Sequence, residues 1–156
     1  MKQIVISLLC TAMLAGCGSD DRSAQEKQAP KVVAGATFPR PHDAALIEMG
    51  FRVYKKNCSA CHGESGQGAP DWQKPGPDGK YPPPPLNGTG HAWHHPQAAL
   101  AQTIRHGTIA IGGKMPALGD KLSDAEIAAV IAWFQSRWPD ELYQAWARMD
   151  QQSRQK

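Results

Sequence analysis

Apolar positions along the chain fall into one unbroken run followed by stripes at helical spacing. The run is Ile4 to Leu14. Ile47, Phe51 and Tyr54 then stand at i, i+4 and i+7, the pattern of an amphipathic helix. A second stripe, Ile127, Val130, Ile131 and Phe134, begins behind Ser123-Asp124-Ala125-Glu126, whose Ser-x-x-Glu form predicts a capping box. Leu142, Trp146 and Met149 repeat the spacing after Pro139, which ends one helix or starts the next. Pro96 to His106 reads as a further helix closed by Gly107, with His106 a cation suited to the C-terminal end. Between Gly63 and Pro96 no period survives: Gly and Pro dominate, including Pro82-Pro83-Pro84-Pro85, and predict a stiff loop with extended stretches.

This pattern predicts an all-α domain over 43–138, followed by an additional amphipathic helix and tail over 139–156. Gly18 to His42 is rich in Ser, Asp, Gln, Lys and Pro and has too little apolar surface to fold, so 17–42 reads as a flexible tether. Gly50 costs a helix interior about 1 kcal/mol relative to Ala, and close approach of another helix is the expected reason.

The chain's 156 residues are one domain's worth, and a net charge of +3 is too small for a dedicated nucleic-acid binder. With 15 Gly and 13 Pro and 41% hydrophobic residues, the core is modest and calls for an extra stabiliser. Four cysteines at first suggest disulfides, but their positions argue otherwise. Met1-Lys2-Gln3 and the apolar run form a signal peptide, too short to span a membrane. It ends in Leu14-Ala15-Gly16-Cys17, which resembles the lipobox of bacterial lipoproteins. That resemblance implies cleavage after residue 16, loss of Cys10 with the leader, and acylation of Cys17. Gly18, in place of the Asp that holds such proteins in the inner membrane, leans towards the outer membrane, with the domain in the periplasm.

The remaining pair forms Cys58-Ser59-Ala60-Cys61-His62, the C-x-x-C-H pattern of c-type haem attachment. Two thiols at this spacing can each add to one haem vinyl group, and the next residue then supplies the proximal imidazole. A thioredoxin-like pair would need a preceding strand and a βαβ setting, and zinc would need a second Cys/His pair.

Around this motif, about Asp43 to Trp138 resembles a class I monohaem cytochrome c. Gly50-Phe51-Arg52-Val53-Tyr54 matches the family's first helix, where a Gly and an aromatic four residues later lead into the attachment motif. Trp133 matches the aromatic that packs across that glycine. Gly112-Gly113-Lys114-Met115-Pro116 resembles the axial-methionine loop, so Met115 is the implied sixth ligand, with Met49 and Met149 as the rivals. The resemblance further implies a proline carbonyl, from Pro84 or Pro85, that orients His62. Phe51, Leu86, Leu100, Ile104 and Leu118 are the side chains expected to cover one covalently bound haem c.

With both axial positions filled, the expected function is electron transfer by a His/Met-ligated haem, a carrier rather than an enzyme. Its partners would be membrane or soluble redox proteins, a terminal oxidase or reductase among them. The alternative is a haem donor domain or subunit of an oxidase, reductase or peroxidase. A third reading is metal handling by His91, His94 and His95, against the simpler one of a hydrogen-bonded loop around Trp93. Lys55, Lys56, Arg105, Lys114 and Lys121 flank the attachment and ligand segments and would steer an acidic partner if unpaired. Asp71 to Lys80 is expected as an excursion at the haem edge.

Overall fold

The computed structural model describes residues 37–40 and 43–155. The expected leader, Cys17 and most of the tether lie outside them. Five α-helices lie among the described residues, with long loops only on either side of the third: α1 (Ala44–Asn57), α2 (Ser59–His62), α3 (Gln97–His106), α4 (Asp124–Gln135) and α5 (Asp140–Ser153). Short 3₁₀ turns cover Ala92–His94 and Ile109–Ile111. Among the described residues there is no strand, so the all-α expectation holds.

The central contact is α1 against α4. A Cβ on Gly50 would overlap the Ala129 carbonyl and come within 2.7 Å of the Trp133 Cβ, so only glycine lets the two backbones close. Trp133, 5% exposed, crosses that gap and lies 4.1 Å, ring to ring, from the fully buried Tyr54. The α4 capping box forms as read: Ser123 Oγ accepts the Glu126 N–H, and the Glu126 carboxylate accepts the Ser123 N–H at 2.9 Å. Ile127, Val130, Ile131 and Phe134 are all buried behind it.

Phe51 does not join this core. It is 40% exposed and lies against the outer side of Trp133, with ring centres 5.9 Å apart. One residue on a helix is about 100° of rotation, and the glycine contact turns Tyr54 and Val53 inward at Phe51's expense.

Pro139 is the N-cap residue of α5, so it both stops α4's run and starts the next helix. The buried face of α5 is Tyr143, Trp146, Ala147 and Asp150, with Leu142 and Met149 half-buried at its edges. Phe134, Trp138, Trp146 and Tyr143 form a row of aromatic contacts between α4 and α5, with neighbouring ring centres 5.4 to 5.9 Å apart. Bulky rings from both helices therefore dock α5 on its own domain.

Phe38 and Arg40, within the segment expected as a tether, are docked on the domain. Phe38 exchanges two 2.8 Å backbone bonds with the Gln144 amide. Arg40 donates to the Gln135 carbonyl and to Asp140 (2.7 Å), and its guanidinium lies 4.5 Å over the Tyr143 ring. A planar cation that stacks and donates in two directions at once explains why this polar segment is held.

Candidate functional site

The Cys58–His62 turn follows α1 directly. Side chains at the junction fold back onto the helix: Asn57 Nδ2 donates to the Val53 carbonyl at 3.0 Å and Ser59 Oγ to that of Lys55 at 2.9 Å. The Tyr54 hydroxyl donates to the Gly63 carbonyl at 2.6 Å, which ties the α1 core to the far end of the turn. Burial, followed by the neighbouring Cys58, pushes the Tyr54 phenol up to about 12, so it stays a donor.

His62 Nδ1 stands 2.8 Å from the Pro84 carbonyl oxygen. A carbonyl can only accept, so Nδ1 carries the proton and Nε2 is left as the ligating nitrogen. Of the two prolines that spacing left open, the backbone selects Pro84. It does so because two segments lie side by side: Gly68 N–H donates to His62 O (2.8 Å), Ala69 N–H to Pro83 O (2.9 Å), and Leu86 N–H to Gly66 O (2.7 Å). Gly68, at φ +68°, is the closest approach, since a Cβ there would stand 2.4 Å from the Pro85 nitrogen. Burial lowers the His62 imidazole below its ordinary range, and the Pro84 bond partly opposes this. Neutral imidazole is the form a metal needs.

Cys58 is half-buried and Cys61 exposed, both unpaired. Burial, then the nearby Cys61, pushes the Cys58 thiol up to about 11. A disulfide-exchange cysteine has a lowered value, and a helix rather than a strand leads into the motif, both of which count against the thioredoxin-like reading.

Met115 sits beyond α3. Gly107, at φ +66°, ends that helix where a Cβ would strike the Met115 carbonyl, so glycine is required for the chain to cross. Thr108 then closes the loop: its N–H donates to Met115 O at 2.8 Å, and its Oγ1 accepts the Met115 N–H at 3.1 Å. Met115, Cys58, Leu86 and Trp93 are partly buried against one apolar cluster that contains Leu100, Ile104 and Leu118. Of the rivals, Met49 lines a groove beside Arg52 and Lys121, and Met149 sits on α5. Two free thiols on one turn, an imidazole with its outer nitrogen engaged, and a thioether on the same apolar cluster fit a covalently attached haem.

Of the loop histidines only His91 and His95 face each other, with ring centres 5.5 Å apart. His94 stacks on Trp93 with ring centres 3.6 Å apart, while His91 lies between Trp72 and His95. Among the described residues no group of three or more His, Cys, Asp or Glu is placed to hold a metal ion. The basic ring is also largely neutralised: Lys55 pairs with Glu64, Arg105 with Asp124, and Lys114 with Asp78 at 2.9 Å. The last pair fastens the Asp71–Lys80 excursion to the methionine loop. Lys56 and Lys121 remain, together lining a groove of about 540 Å³.

Residues 45–134 match the protein family described as cytochrome c oxidase, cbb3-type, subunit III. Over 91 residues the chain is 35% identical to the Cbb3-type cytochrome c oxidase subunit CcoP of Azospirillum sp. (strain B510), covering 58% of this chain and 28% of that protein. It is 36% identical over 94 residues to subunit CcoP of Azospirillum brasilense, covering 60% and 29%. To subunit FixP of Azorhizobium caulinodans it is 33% identical over 95 residues, covering 60% and 28%. The chain thus spans less than a third of the length of these curated relatives. No solved structure matches it.

Proposed function

The chain belongs to the cbb3-type cytochrome c oxidase subunit III family, and from that membership we propose that it passes single electrons between cell-envelope redox partners, a terminal oxidase among them. The family's cofactor is a covalently bound c-type haem. When bound, the haem supplies a one-electron Fe(III)/Fe(II) couple.

In this reading Cys58 and Cys61 hold the haem by thioethers, and His62 and Met115 are its axial ligands. The observation that carries it is the 2.8 Å bond from His62 Nδ1–H to Pro84 O, which fixes the tautomer and ring plane and makes Nε2 the better donor. Met115 offers a soft thioether that favours the ferrous state and raises the potential relative to a second imidazole. Leu100, Ile104 and Leu118 exclude water from that side. Because the relatives are oxidase subunits, the donor-subunit role weighs as heavily as that of a free shuttle. Cys17 is the proposed lipid anchor, with Gly18 favouring the outer membrane and the domain in the periplasm.

An optical and carbon monoxide titration of the purified holoprotein tests the assignment. A ferric methionine-to-iron charge-transfer band, with no rapid carbon monoxide binding on reduction, supports it; ready binding overturns it. For the anchor, Cys17→Ser should abolish incorporation of labelled fatty acid and release the protein from membranes.

A further inference from the structure

The helix that follows the family-matched region reaches back to the start of α3. The match ends at residue 134, so α5 lies beyond it. The N-cap residue of α3 is Pro96, which has no side chain able to accept a hydrogen bond, and no side-chain cap forms there from the local sequence. The missing acceptor comes from 53 residues away: Asp150 Oδ1 accepts the Gln97 N–H at 2.7 Å. Asp150 is only 6% exposed, and Arg154 holds its other oxygen through Nε at 2.9 Å and Nη2 at 2.7 Å. One turn earlier on α5, Trp146 Nε1–H donates to the His95 carbonyl at 2.9 Å. Two residues of α5 therefore grip the entry to α3.

The exit of α3 carries the methionine loop. Its terminal carbonyls, which a free helix end leaves without partners, accept from the segment just past Met115: Leu118 N–H to Ile104 O and Gly119 N–H to Arg105 O, both 3.0 Å. Thr108, just past the same helix end, holds the Met115 backbone itself, and Gly107 lets the chain pass close against it. Between these two ends α3 is a rigid rod of ten residues.

We propose that Asp150, assisted by Trp146, is a positioning residue for Met115, holding the distal loop closed through α3 from a helix the family match does not include. The inference rests on the reading of Met115 as an axial ligand. A cap whose acceptor is lost lets the first turn of α3 fray and weakens the purchase of the loop at its other end, so an external ligand competes more easily for the iron.

The test is an imidazole titration of the ferric holoprotein, following the methionine-to-iron band, with far-ultraviolet dichroism as a check on folding. Asp150→Ala should raise imidazole affinity about fivefold, the equilibrium shift of a lost helix cap, with the haem still attached. Asp150→Asn keeps an acceptor for the Gln97 N–H but turns an NH2 donor towards Arg154, so it should recover part of the wild-type affinity, which a purely electrostatic role would not produce. If Asp150→Ala does not fold, Trp146→Phe keeps the ring, removes only the donor, and should move the affinity in the same direction. Wild-type affinity in a folded Asp150→Ala or Trp146→Phe protein overturns the brace alone. A wild-type band absent, or unaffected by Met115→Ala, overturns the ligand reading and the brace with it.

Discussion

The two candidate ligands are held in opposite ways. His62 sits on a turn whose partners come from within some 22 residues: Tyr54 on one side, Gly66, Gly68, Pro83 and Pro84 on the other. Several short bonds converge on it, and Pro83 and Pro84 fix the backbone that supplies them. Met115 hangs on one threonine and one helix end, and that helix takes its own cap from the far terminus of the domain. A further tie is the half-exposed Lys114–Asp78 pair to the Asp71–Lys80 excursion. The proximal side is over-determined and the distal side is suspended. An electron carrier gains from the first, because a fixed imidazole costs no rearrangement on redox change. The second leaves the distal loop responsive to events elsewhere.

The largest effect should come from breaking the rigid side. Gly68→Val places side-chain atoms in the Pro84–Pro85 backbone and forces φ +68° on a β-branched residue, so unfolding should cost about 3 kcal/mol less and attached haem should fall, read by chemical denaturation and haem stain. Gly107→Ala attacks the suspended side. Its Cβ meets the Met115 carbonyl, and the expected result is loss of the methionine-to-iron band with haem retained and a stability loss of about 2 kcal/mol. Haem loss there comparable to Gly68→Val would erase the contrast. Tyr54→Phe removes one hydroxyl bond to Gly63 and should lower stability by about 1 kcal/mol with the band unchanged, since the neighbouring bonds still hold the turn.

The mildest test titrates the segment joining the two sides. Burial, then His95 and His94, lowers the His91 imidazole below 6.5. Between that lowered value and 6.5 the unfolded chain takes up a proton that the folded one does not, so stability declines as pH falls through this window and levels off below it. His91→Gln should flatten that slope in pH-dependent thermal melts; an identical slope would show that another group sets it.

Local features were legible in the sequence. The capping box of α4, the α3 stop at Gly107 and the Pro139 junction each rest on a few neighbouring residues whose chemistry leaves little choice, whereas the pairing of Gly50 with Trp133 came from the resemblance to class I cytochromes c. Phe51 was misplaced because a stripe at i, i+4, i+7 does not say which of two adjacent positions faces inward. Pro84 could not be separated from Pro85 by spacing, since the decision lies in backbone bonds to Gly66 and Ala69. The paired cations were invisible for the same reason: Asp78 and Lys114 meet only after the excursion folds back. Asp150 had a faint signal, a carboxylate seven residues after Tyr143 on the apolar face of a helix, opposite a proline start that could not cap itself. The docking of Arg40 on Gln135 and Asp140, across 95 and 100 residues, had none.

That Arg40 clamp has a mechanical consequence. Tension applied to the chain ahead of Thr37 enters the domain at the end of α4 and the start of α5, where a stacked guanidinium and the Gln144 amide take it up in shear. The load path bypasses the start of α1, and with it the turn that bears Cys58, Cys61 and His62. Under the anchor proposed at Cys17, tension from the membrane side would thus leave that turn unstrained.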